Sequence, residues 1–385
     1  MRIAYVYDVI YPYVNGGVQK RIWELSTRLA AKGHQITIFG MKHWEGADIM
    51  YKEGVRLWGV CPPQELFVNG HRSVKEAIYV ACRILPALPR EEYDIIDCQN
   101  LPYFPCFSAK IASRLRSSPL LITWHEVWDD YWKAYLGRVG VFGRLVERLT
   151  TRLAPMNAVG TIYNRDKLIS IGANENKVRL VPIGGISFSD IEKVSPARES
   201  VDVLFVGRLV KSKGVDTLLH SIAHFTKIPH KVSVAIVGGG PERENLEALS
   251  RELGIQDTVR FFGRVEDDVE VISIMKSARV FVYPAEPEGG WSVTIIEANA
   301  CGLPAISVRS GPLGTNEVVI DGHNGLLVAD QSAPAIAEKI HLILEDEPLR
   351  TRLSQNAVIA AKEQDWGNVT EKTERLYCEM PSRCS

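Results

Sequence analysis

Short apolar strand patterns alternate with amphipathic helical patterns along this chain, and this alternation restricts its fold more than any other feature. In the first half, Gly17–Lys32 carries apolar residues at helical spacing, and Gly33 ends that pattern. Strand–helix–strand repetition of this kind predicts a parallel, doubly wound α/β sheet. The strand patterns of this half lie at Arg2–Tyr7, Gln35–Phe39, Tyr93–Cys98, Leu120–Trp124 and Asn157–Gly160.

The same alternation begins again after a stretch rich in Gly, Ser and Pro at Pro182–Pro196. A chain of 385 residues is also longer than one ordinary core requires. The sequence therefore predicts two doubly wound domains, residues 1–185 and residues 186–361, with ligands at the carboxyl ends of the strands, in the cleft between the domains. The later patterns are strands at Val203–Val206, Lys231–Val237, Val259–Phe262, Val280–Tyr283 and Pro304–Ser307, and helices at Val215–Thr226 and Glu242–Leu253.

Composition argues against several classes of protein. The net charge of −1 speaks against a nucleic-acid partner, and no apolar run of about 18 residues predicts a transmembrane helix. Asp8 interrupts the apolar start of the chain, so we expect no signal peptide there. The seven scattered cysteines include no Cys-x-x-Cys pair and indicate free thiols in a reducing, cytoplasmic compartment.

The first candidate segment follows the strand Val203–Val206. Gly207 and Arg208 come at the end of the strand, and Lys213 and Gly214 precede the next helical pattern. An Arg with its fork of N–H donors and a Lys with its point charge, at the mouth of a strand–turn–helix unit, suit a diphosphate. The alternative is an ordinary basic surface loop, and this segment alone does not decide between the two.

The second candidate segment follows the strand Val280–Tyr283. An acidic, Gly-rich loop leads into a helix that is predicted to begin near Ser292 to Thr294, and Glu297 lies in its first turns. Glycines let backbone N–H groups approach an anion, and a helix N-terminus adds a favourable dipole. The carboxylate of Glu297 can accept hydrogen bonds from vicinal hydroxyls such as those of a ribose. The alternative is a carboxylate that caps the helix.

In their order and spacing, these segments resemble the family 4 retaining glycosyltransferases, which have the GT-B fold of two Rossmann-like domains facing each other across a cleft. The resemblance covers nearly the whole chain and implies that the C-terminal domain binds a nucleotide-diphosphate sugar. It also implies that the last helix, within residues 362–385, crosses back and completes the N-terminal domain. The blocks that carry it are Asn15–Gly17, Gly207–Gly214, Val237–Pro241, Glu297–Gly302 and Asn316–Val328.

The resemblance implies roles for single residues of the donor site. Arg208 and Lys213 would bind the donor diphosphate, and Glu297 would bind the ribose. Two glycines after the first strand would approach the phosphate from the N-terminal domain, and Gly263 and its neighbour would contact the nucleobase, largely through backbone. The implied donor contacts besides Arg208, Lys213 and Glu297 are Gly16, Gly17, Gly263, Arg264, Glu288, Gly290, Trp291, Ser292 and Val293.

The chain departs from the family pattern at one position. The family has two glutamates separated by seven residues, and the position that corresponds to the first of them is Gly289. Glu288 lies one residue too early. Either a bulge brings Glu288 into place, or backbone groups of Gly289–Ser292 have taken over the role of the missing carboxylate.

His125 follows the strand Leu120–Trp124 and resembles the family histidine that contacts the transferred sugar. A lone histidine is more often a core or surface residue. Its position at the carboxyl end of a strand, where cleft residues collect, favours the catalytic interpretation. We therefore expect the catalytic residues to be His125, Arg208 and Lys213.

The resemblance implies retention of the anomeric configuration. Glu126, Asp129 and Asp130 form no Asp-x-Asp metal motif, so we expect no metal and no cofactor, and Arg208, Lys213 and helix dipoles would stabilise the leaving diphosphate. A hydroxyl of a glycan or lipid-linked glycan would attack from the same face. Both UDP- and GDP-linked donors remain open, because base contacts in this fold are mostly made by backbone.

Lys133–Arg152 is a basic amphipathic stretch with five basic residues and one acid. Phe142, Leu145 and Leu149 share one helical stripe. One interpretation is peripheral contact with the inner face of a membrane. The other, which the sequence favours, is a domain helix whose apolar stripe packs on the sheet.

Three other functions fit parts of the pattern. A sugar-nucleotide epimerase of the same fold would share the nucleotide cleft, but it needs acid–base groups placed at C2 of the sugar. A two-domain sugar-binding protein of the export type would need a signal peptide. A transferase-like protein that binds the donor without turnover would explain Gly289.

Overall fold

The structure is a computed structural model that describes residues 1–68, 71–227, 232–285, 292–309 and 317–380. These residues form two compact units. The first contains Met1–Gly184 and the segment that begins at Trp366, and the second contains the chain between Gly185 and Asp365. Each unit has its own sheet, and the strands of both sheets are parallel except for one antiparallel pair in the first.

The strands of the first unit are β1 Arg2–Val6, β2 Gln35–Met41, β3 Ile49–Lys52, β4 Val55–Cys61, β5 Phe67–Val68, β6 His71–Arg72, β7 Ile95–Gln99, β8 Leu120–Trp124, β9 Met156–Val159 and β10 Val178–Leu180. In the described residues, eight of them form a sheet in the order β10-β9-β8-β7-β1-β2-β4-β3. Neighbouring strands are parallel except β3 and β4. The strands β5 and β6 form a separate antiparallel hairpin.

The helices up to the end of this sheet are α1 Gly17–Ala31, α2 Val74–Ala87, α3 Phe104–Arg116, α4 Tyr131–Leu136, α5 Gly140–Thr150 and α6 Ile162–Ser170. The central strands form because they are apolar along most of their length. All residues of β7 and β8 are buried, as expected for strands that are covered on both faces. Phe39 and Trp124 lie in one hydrophobic cluster, and Tyr5 and Leu25 lie in another.

The second unit has the strands β11 Val201–Val206, β12 Val234–Val237, β13 Val259–Gly263, β14 Ala278–Tyr283, β15 Ala305–Val308 and β16 Gly325–Val328. They pair in parallel in the order β13-β12-β11-β14-β15-β16. Its helices are α7 Phe188–Lys193, α8 Val215–Ala223, α9 Arg243–Glu252, α10 Asp268–Lys276, α11 Val293–Ala300, α12 Ala333–Glu345 and α13 Glu347–Lys362. The strand β11, at the centre, is buried from Val203 to Val206.

The chain then returns to the first unit through α14 Trp366–Glu379. Val369, Leu376 and Tyr377 are buried in the same hydrophobic cluster as Leu25 and Leu29 of α1. The helix α14 therefore covers one face of the first sheet beside α1. None of the helices in the described part of the chain is long and apolar enough to cross a bilayer.

The charged stretch Asn356–Glu379 has a helical pattern in the sequence, but it does not form one continuous helix. It is divided between α13 and α14, with a turn between Lys362 and Trp366. In this turn the carbonyl of Gln364 accepts a hydrogen bond from the backbone N–H of Ile186 at 3.0 Å. A carboxylate oxygen of Asp365 accepts one from the backbone N–H of Phe188 at 3.0 Å. These bonds tie the turn to the start of the second unit and replace the helical pattern.

Other predicted elements also differ from those in the structure. The stretch rich in Gly, Ser and Pro at Pro182–Pro196 contains α7, and six strands, β3, β4, β5, β6, β10 and β16, were not predicted. The predicted strand Lys231–Val237 begins at Val234 in the described residues, and Lys231 lies outside them.

The helix α5 turns its apolar stripe towards solvent. Phe142 is 69% exposed, Leu145 53% and Leu149 45%. The buried residues of this helix are Gly140, Glu147 and Thr150. The interpretation that the stripe packs on the sheet is therefore wrong, because the opposite, more polar face of the helix is the buried one.

Candidate functional site

Most predicted donor residues of the second unit lie where strands end. Gly207 and Arg208 follow β11, Gly263 ends β13 with Arg264 after it, and Glu297 lies on the helix after β14. Because all strands of this sheet are parallel, their carboxyl ends lie along one edge. The fold therefore collects these residues at one edge of the second sheet.

Close backbone contacts join the loops after β11, β12 and β13. The N–H of Leu209 donates to the carbonyl of Gly239 at 2.9 Å, and the N–H of Gly238 donates to that of Gly263 at 2.8 Å. A Cβ added at Gly238 would overlap the carbonyl oxygen of Gly207, and the φ of Gly238 is +142°. A glycine is therefore required there, since any side chain would push the two loops apart.

The turn that carries Lys213 is tied to β14. The Nζ of Lys213 donates a hydrogen bond to the hydroxyl of Tyr283 at 2.8 Å and lies 5.2 Å from the centre of that ring. Gly214 has a φ of +64° and packs against the carbonyl of Pro284, so it both ends the turn and starts α8. Arg208 is exposed. One cation is thus oriented by the protein, and the other extends into solvent.

The predicted base-contacting pair ends the strand β13. Gly263 has a φ of +75°, a backbone conformation that glycine adopts readily. The Nε of Arg264 lies 2.8 Å from a carboxylate oxygen of Glu266, and both side chains are largely exposed. The side chain of Arg264 is therefore held along its own loop, while the backbone of Gly263 contacts the loop of Gly238.

The helix α11 begins at Val293 with Ser292 as its N-cap residue. The side chain of Ser292 caps no backbone N–H and instead lies 3.1 Å from the hydroxyl of Thr294. The first turn holds no acidic residue, so its positive dipole end has no carboxylate of its own. Glu297 follows one turn later and is half-buried.

Three predicted donor residues, Glu288, Gly290 and Trp291, lie outside the described residues, and so does Gly289. Gly16 and Gly17 lie at the start of α1 in the first unit. Neither lies in the left-handed region of φ that favours glycine, and a Cβ at Gly17 would meet no atom of the described chain within 4 Å. The fold itself therefore does not require glycine at position 17.

His125 lies at the carboxyl edge of the first sheet, directly after β8. Its backbone N–H donates to Oδ1 of Asn100 at 3.0 Å, and its carbonyl accepts from Nδ2 of Asn164 at 3.2 Å. Its Nε2 lies 2.8 Å from Oε1 of Gln99, which ends the neighbouring strand β7. Three polar side chains therefore hold this half-buried histidine in place.

Hydrogen-bond direction assigns the tautomer of His125. The Nε2 amide group of Gln99 donates to Oδ1 of Asp97 at 2.9 Å, so Oε1 of Gln99 faces the imidazole and can only accept. Nε2 of His125 must then carry the proton, which leaves Nδ1 as an acceptor. Because amide and imidazole orientations are assigned from such networks, Asp97 is the group on which this assignment depends.

Asp97 is itself fixed by partners from two other elements. Its Oδ1 also accepts from the hydroxyl of Thr123 at 2.7 Å, and its Oδ2 accepts from the hydroxyl of Tyr377 on α14 at 2.7 Å. The Tyr377 oxygen lies 2.8 Å from the hydroxyl of Tyr5, which can donate to it. A buried chain of hydrogen bonds thus runs from α14 to His125.

The imidazole of His125 is uncharged at neutral pH. Burial, and after it the positive charge of Arg21, lowers its pKa from 6.5 to about 3. Arg21 on α1 is only 1% exposed, and its Nε and Nη1 have no hydrogen-bond partner in the described residues. His125 is therefore placed to act as a hydrogen-bonding group and not as a cation.

A second charged cluster lies in the same unit and was not predicted. Asp8, just after β1, is fully buried and pairs with Arg72, whose guanidinium lies 3.7 Å from a carboxylate oxygen of Glu76. Burial raises the pKa of Glu76 above its usual range. Two carboxylates around one cation suit a partner with hydroxyl or amino groups.

The sequence contained signals for some of the missed residues. Polar residues in the last positions of an apolar strand pattern, or directly after it, mark a carboxyl edge, and Asp97, Gln99 and Asn100 lie in such positions at the end of β7. Arg21 interrupts an otherwise apolar helical face, which also indicates a special environment. Tyr377 gave no local signal, because its partner Asp97 is 280 residues away in the chain.

Two family profiles match the chain, one in each unit. The profile described as Glycosyltransferase Family 4 matches residues 15–184. The profile described as Glycosyl transferases group 1 matches residues 188–358. Both matches lie inside the unit boundaries of the structure.

Curated relatives include the D-inositol 3-phosphate glycosyltransferase of Acidothermus cellulolyticus, which is 31% identical over 94% of this chain and 85% of that protein. A subunit of the phosphatidylinositol N-acetylglucosaminyltransferase of Arabidopsis thaliana is 23% identical over 100% of this chain and 83% of its own length. Other curated relatives, such as the D-inositol 3-phosphate glycosyltransferase of Streptomyces bingchenggensis, are matched over only 40% to 58% of their length.

Solved structures show the same fold. Sucrose-phosphate synthase from Thermosynechococcus elongatus superposes with a TM-score of 0.76 over 98% of both chains, at 22% identity. HepE from Anabaena, solved in complex with UDP, gives a TM-score of 0.75 over 99% of this chain and 100% of its own, at 18% identity. With two profiles, a full-length relative and these folds in agreement, the chain belongs to the family 4 glycosyltransferases of GT-B fold.

Proposed function

We propose that this protein is a retaining glycosyltransferase that moves a sugar from a UDP- or GDP-linked donor to a hydroxyl of a glycan or lipid-linked glycan. The observation that carries the proposal is the edge of the second sheet, where Arg208, the Lys213 turn and the start of α11 follow neighbouring strands. The UDP complex of HepE supports a nucleotide donor. The name of the Arabidopsis relative supports a lipid-linked acceptor.

Each donor residue has a separate role in this proposal. Arg208 supplies a fork of N–H donors to the diphosphate, and Lys213 supplies a point charge from a fixed position over Tyr283. The N-terminus of α11, where Ser292 caps no backbone N–H among the described residues, adds backbone N–H groups, and Glu297 accepts from the ribose hydroxyls. Gly17, where a Cβ would meet open space, leaves room for the phosphate.

In the proposed reaction the bond between the anomeric carbon and the diphosphate oxygen breaks, and its electron pair goes to the diphosphate. Arg208, Lys213 and the α11 dipole stabilise that charge without a metal ion. The acceptor oxygen then bonds to the anomeric carbon on the same face, and its proton leaves with the diphosphate. His125, uncharged and with Nδ1 free to accept, orients a hydroxyl of the transferred sugar.

The donor site is tested by thermal shift with UDP-, GDP- and ADP-sugars, because a ligand that binds only the folded protein raises its Tm. We expect one nucleotide class to raise the Tm and Arg208→Ala to abolish the rise. Arg260→Ala is the matched control, since Arg260 is an exposed arginine of the same unit, paired with Glu199 at 2.7 Å. An undiminished shift in Arg208→Ala would remove Arg208 from the donor site.

Turnover separates this proposal from its two alternatives. A transferase releases nucleoside diphosphate in proportion to glycosylated acceptor, an epimerase changes the sugar while it stays on the nucleotide, and a binding protein does neither. NMR of the product identifies the anomeric configuration, and an inverted linkage would contradict retention. Activity that is lost with EDTA and restored by a divalent cation would contradict the metal-free mechanism.

A further inference from the structure

The helix α5 and the turn before it expose an unusual number of apolar side chains. No other stretch of eleven described residues exposes as many large apolar side chains as residues 139–149. Contiguous exposed apolar surface of this kind often marks a site that interacts with a protein or a membrane. The five side chains, 45% to 69% exposed, are Val139, Val141, Phe142, Leu145 and Leu149.

Hydrogen bonds to Glu147 fix this orientation of α5. Its carboxylate is fully buried and accepts from the hydroxyl of Tyr103 at 2.8 Å, the backbone N–H of Trp128 at 2.7 Å and that of Asp129 at 2.8 Å. The indole Nε1 of Trp132 lies 3.2 Å from it. Rotating α5 to bury its apolar stripe would leave this carboxylate without partners, which is costly for a buried charge.

Glycines bring α5 close to α4 on the same buried side. A Cβ at Gly140 would overlap the carbonyl of Trp132, and a Cβ at Gly143 would overlap its indole ring. The backbone of α5 at these two glycines therefore packs directly against Trp132 of α4. The apolar stripe is left on the outside by a specific arrangement and not by loose packing.

Basic side chains flank the stripe. Arg144 and Arg148 each lie one residue before an exposed leucine, so the two rows run side by side along α5. Arg144 pairs with Asp129 at 2.6 Å and with Asp130 at 3.2 Å, and Arg148 lies 3.8 Å from Asp129. In contrast, Lys133, Arg138 and Arg152 have no ion-pair partner among the described residues, and all three are exposed. The single acid of Lys133–Arg152 is the buried Glu147, so the exposed charge of this stretch is all positive.

We propose that this α5 face, the five apolar side chains with Lys133, Arg138 and Arg152, docks on an anionic lipid bilayer. The apolar side chains would enter the boundary between headgroups and acyl chains, and the cations would contact anionic headgroups. A second copy of the chain fits less well, because a symmetric contact would place the same uncompensated positive charges against each other.

The α5 face shares no residue with the donor site, so lipid docking can fail or hold independently of the proposed reaction. Docking concerns where the protein works. A protein that docks through α5 meets an acceptor at a membrane surface instead of in bulk solution.

The test is flotation of the full chain with vesicles of phosphatidylcholine alone or with about 30% phosphatidylglycerol, an anionic fraction large enough to attract basic residues. We expect binding to the anionic vesicles in about 50 mM salt, and at least about tenfold weaker partition in about 500 mM salt because the charges are screened. The triple variant Phe142→Ser, Leu145→Ser, Leu149→Ser should lose vesicle binding, and Arg138→Glu with Lys133→Glu should weaken it.

Leu115→Ser is the matched control, since Leu115 is 67% exposed on α3. It should float with anionic vesicles as the unchanged protein does. Circular dichroism and the donor thermal shift check that the triple variant stays folded. No binding to anionic vesicles at low salt, or equal binding by the triple variant, overturns the proposal. A concentration-dependent dimer in ultracentrifugation that the triple variant abolishes would assign the face to a second copy instead.

Discussion

His125 shows how one residue's charge state depends on distant groups. The amide of Gln99 is oriented by Asp97, so its Oε1 can only accept a hydrogen bond from Nε2–H of His125. The buried Arg21 disfavours a second proton on the imidazole. Because this environment favours the neutral imidazole, protonation of His125 destabilises the folded state. This links the residue to a measurable dependence of stability on pH.

We predict that His125 makes the protein less stable as the pH falls. The pKa of this imidazole is near 6.5 in the unfolded chain and about 3 in the folded one, so between these values the unfolded state binds more protons. Going from about pH 7 to about pH 5, this residue should remove about 2 kcal/mol from the free energy of unfolding. Urea unfolding of the protein and of His125→Asn at both pH values measures it.

The difference between the two proteins isolates His125 from the carboxylates, which titrate in both. The free energy of unfolding of His125→Asn should fall less over this interval. Equal falls in both proteins would show that the histidine is already solvated or charged in the folded state.

At the scale of elements, the second unit depends on the crossing of the loops after β11 and β12. The backbone of Gly238 touches that of Gly207 so closely that no Cβ fits between them. This contact holds the loop of Arg208 at the strand edge. A change at Gly238 therefore acts on stability and on the donor residues together.

Gly238→Ala should destabilise the second unit by more than about 2 kcal/mol, because it combines a backbone overlap with an unfavourable φ. Gly17→Ala is the control for the same substitution, since its Cβ would meet open space at the start of α1. The control should change the free energy of unfolding by less than about 1 kcal/mol in either direction. Urea unfolding measures both, and similar values for the two would contradict the close contact at Gly238.

The sequence predicted the central strands but missed six others, among them short or partly exposed strands and also the mostly buried β4 and β16. The strands β7 and β8 are largely apolar runs, which form wherever both faces are covered. In contrast, β3 is at the edge and half-exposed, and β10 has three residues. These strands form because they pair with a neighbouring strand, and the local sequence pattern carries no information about that pairing.

The same limit applies to the candidate site and to α5. The donor residues could be recognised because they lie within short segments such as Gly207–Gly214. The contact from Tyr377 to Asp97 joins opposite ends of the chain, and no spacing predicts it. For α5 the apolar stripe was recognised but placed on the wrong side, since periodicity does not report the four hydrogen-bond donors that hold Glu147.

At the scale of the whole molecule, the first unit is assembled from both ends of the chain. A chain that ends at Asp365 lacks α14 and leaves the cluster around Leu25 and Leu29 uncovered. We predict that this truncated chain is aggregation-prone and that its first unit unfolds at a lower temperature. Scanning calorimetry and light scattering measure both effects, and a truncated chain that stays monodisperse with an unchanged first transition would contradict this.

Tyr377→Phe is a milder change than the loss of α14, because it removes only the hydroxyl that donates to Asp97. It should keep α14 in place and lower the free energy of unfolding by about 1–3 kcal/mol, since a buried carboxylate oxygen loses its partner. Urea unfolding measures the change, and an unchanged free energy of unfolding would show that the hydroxyl contributes nothing to stability.

The late position of α14 also sets an order of events during synthesis. The ribosome completes β1 to β10 and then the entire second unit before residue 366 emerges. Throughout that interval the nascent first unit exposes the apolar face beside α1, while the second unit has all its strands and helices. The second unit can therefore reach its final fold first, and the first unit completes its hydrophobic core only when α14 has been synthesised.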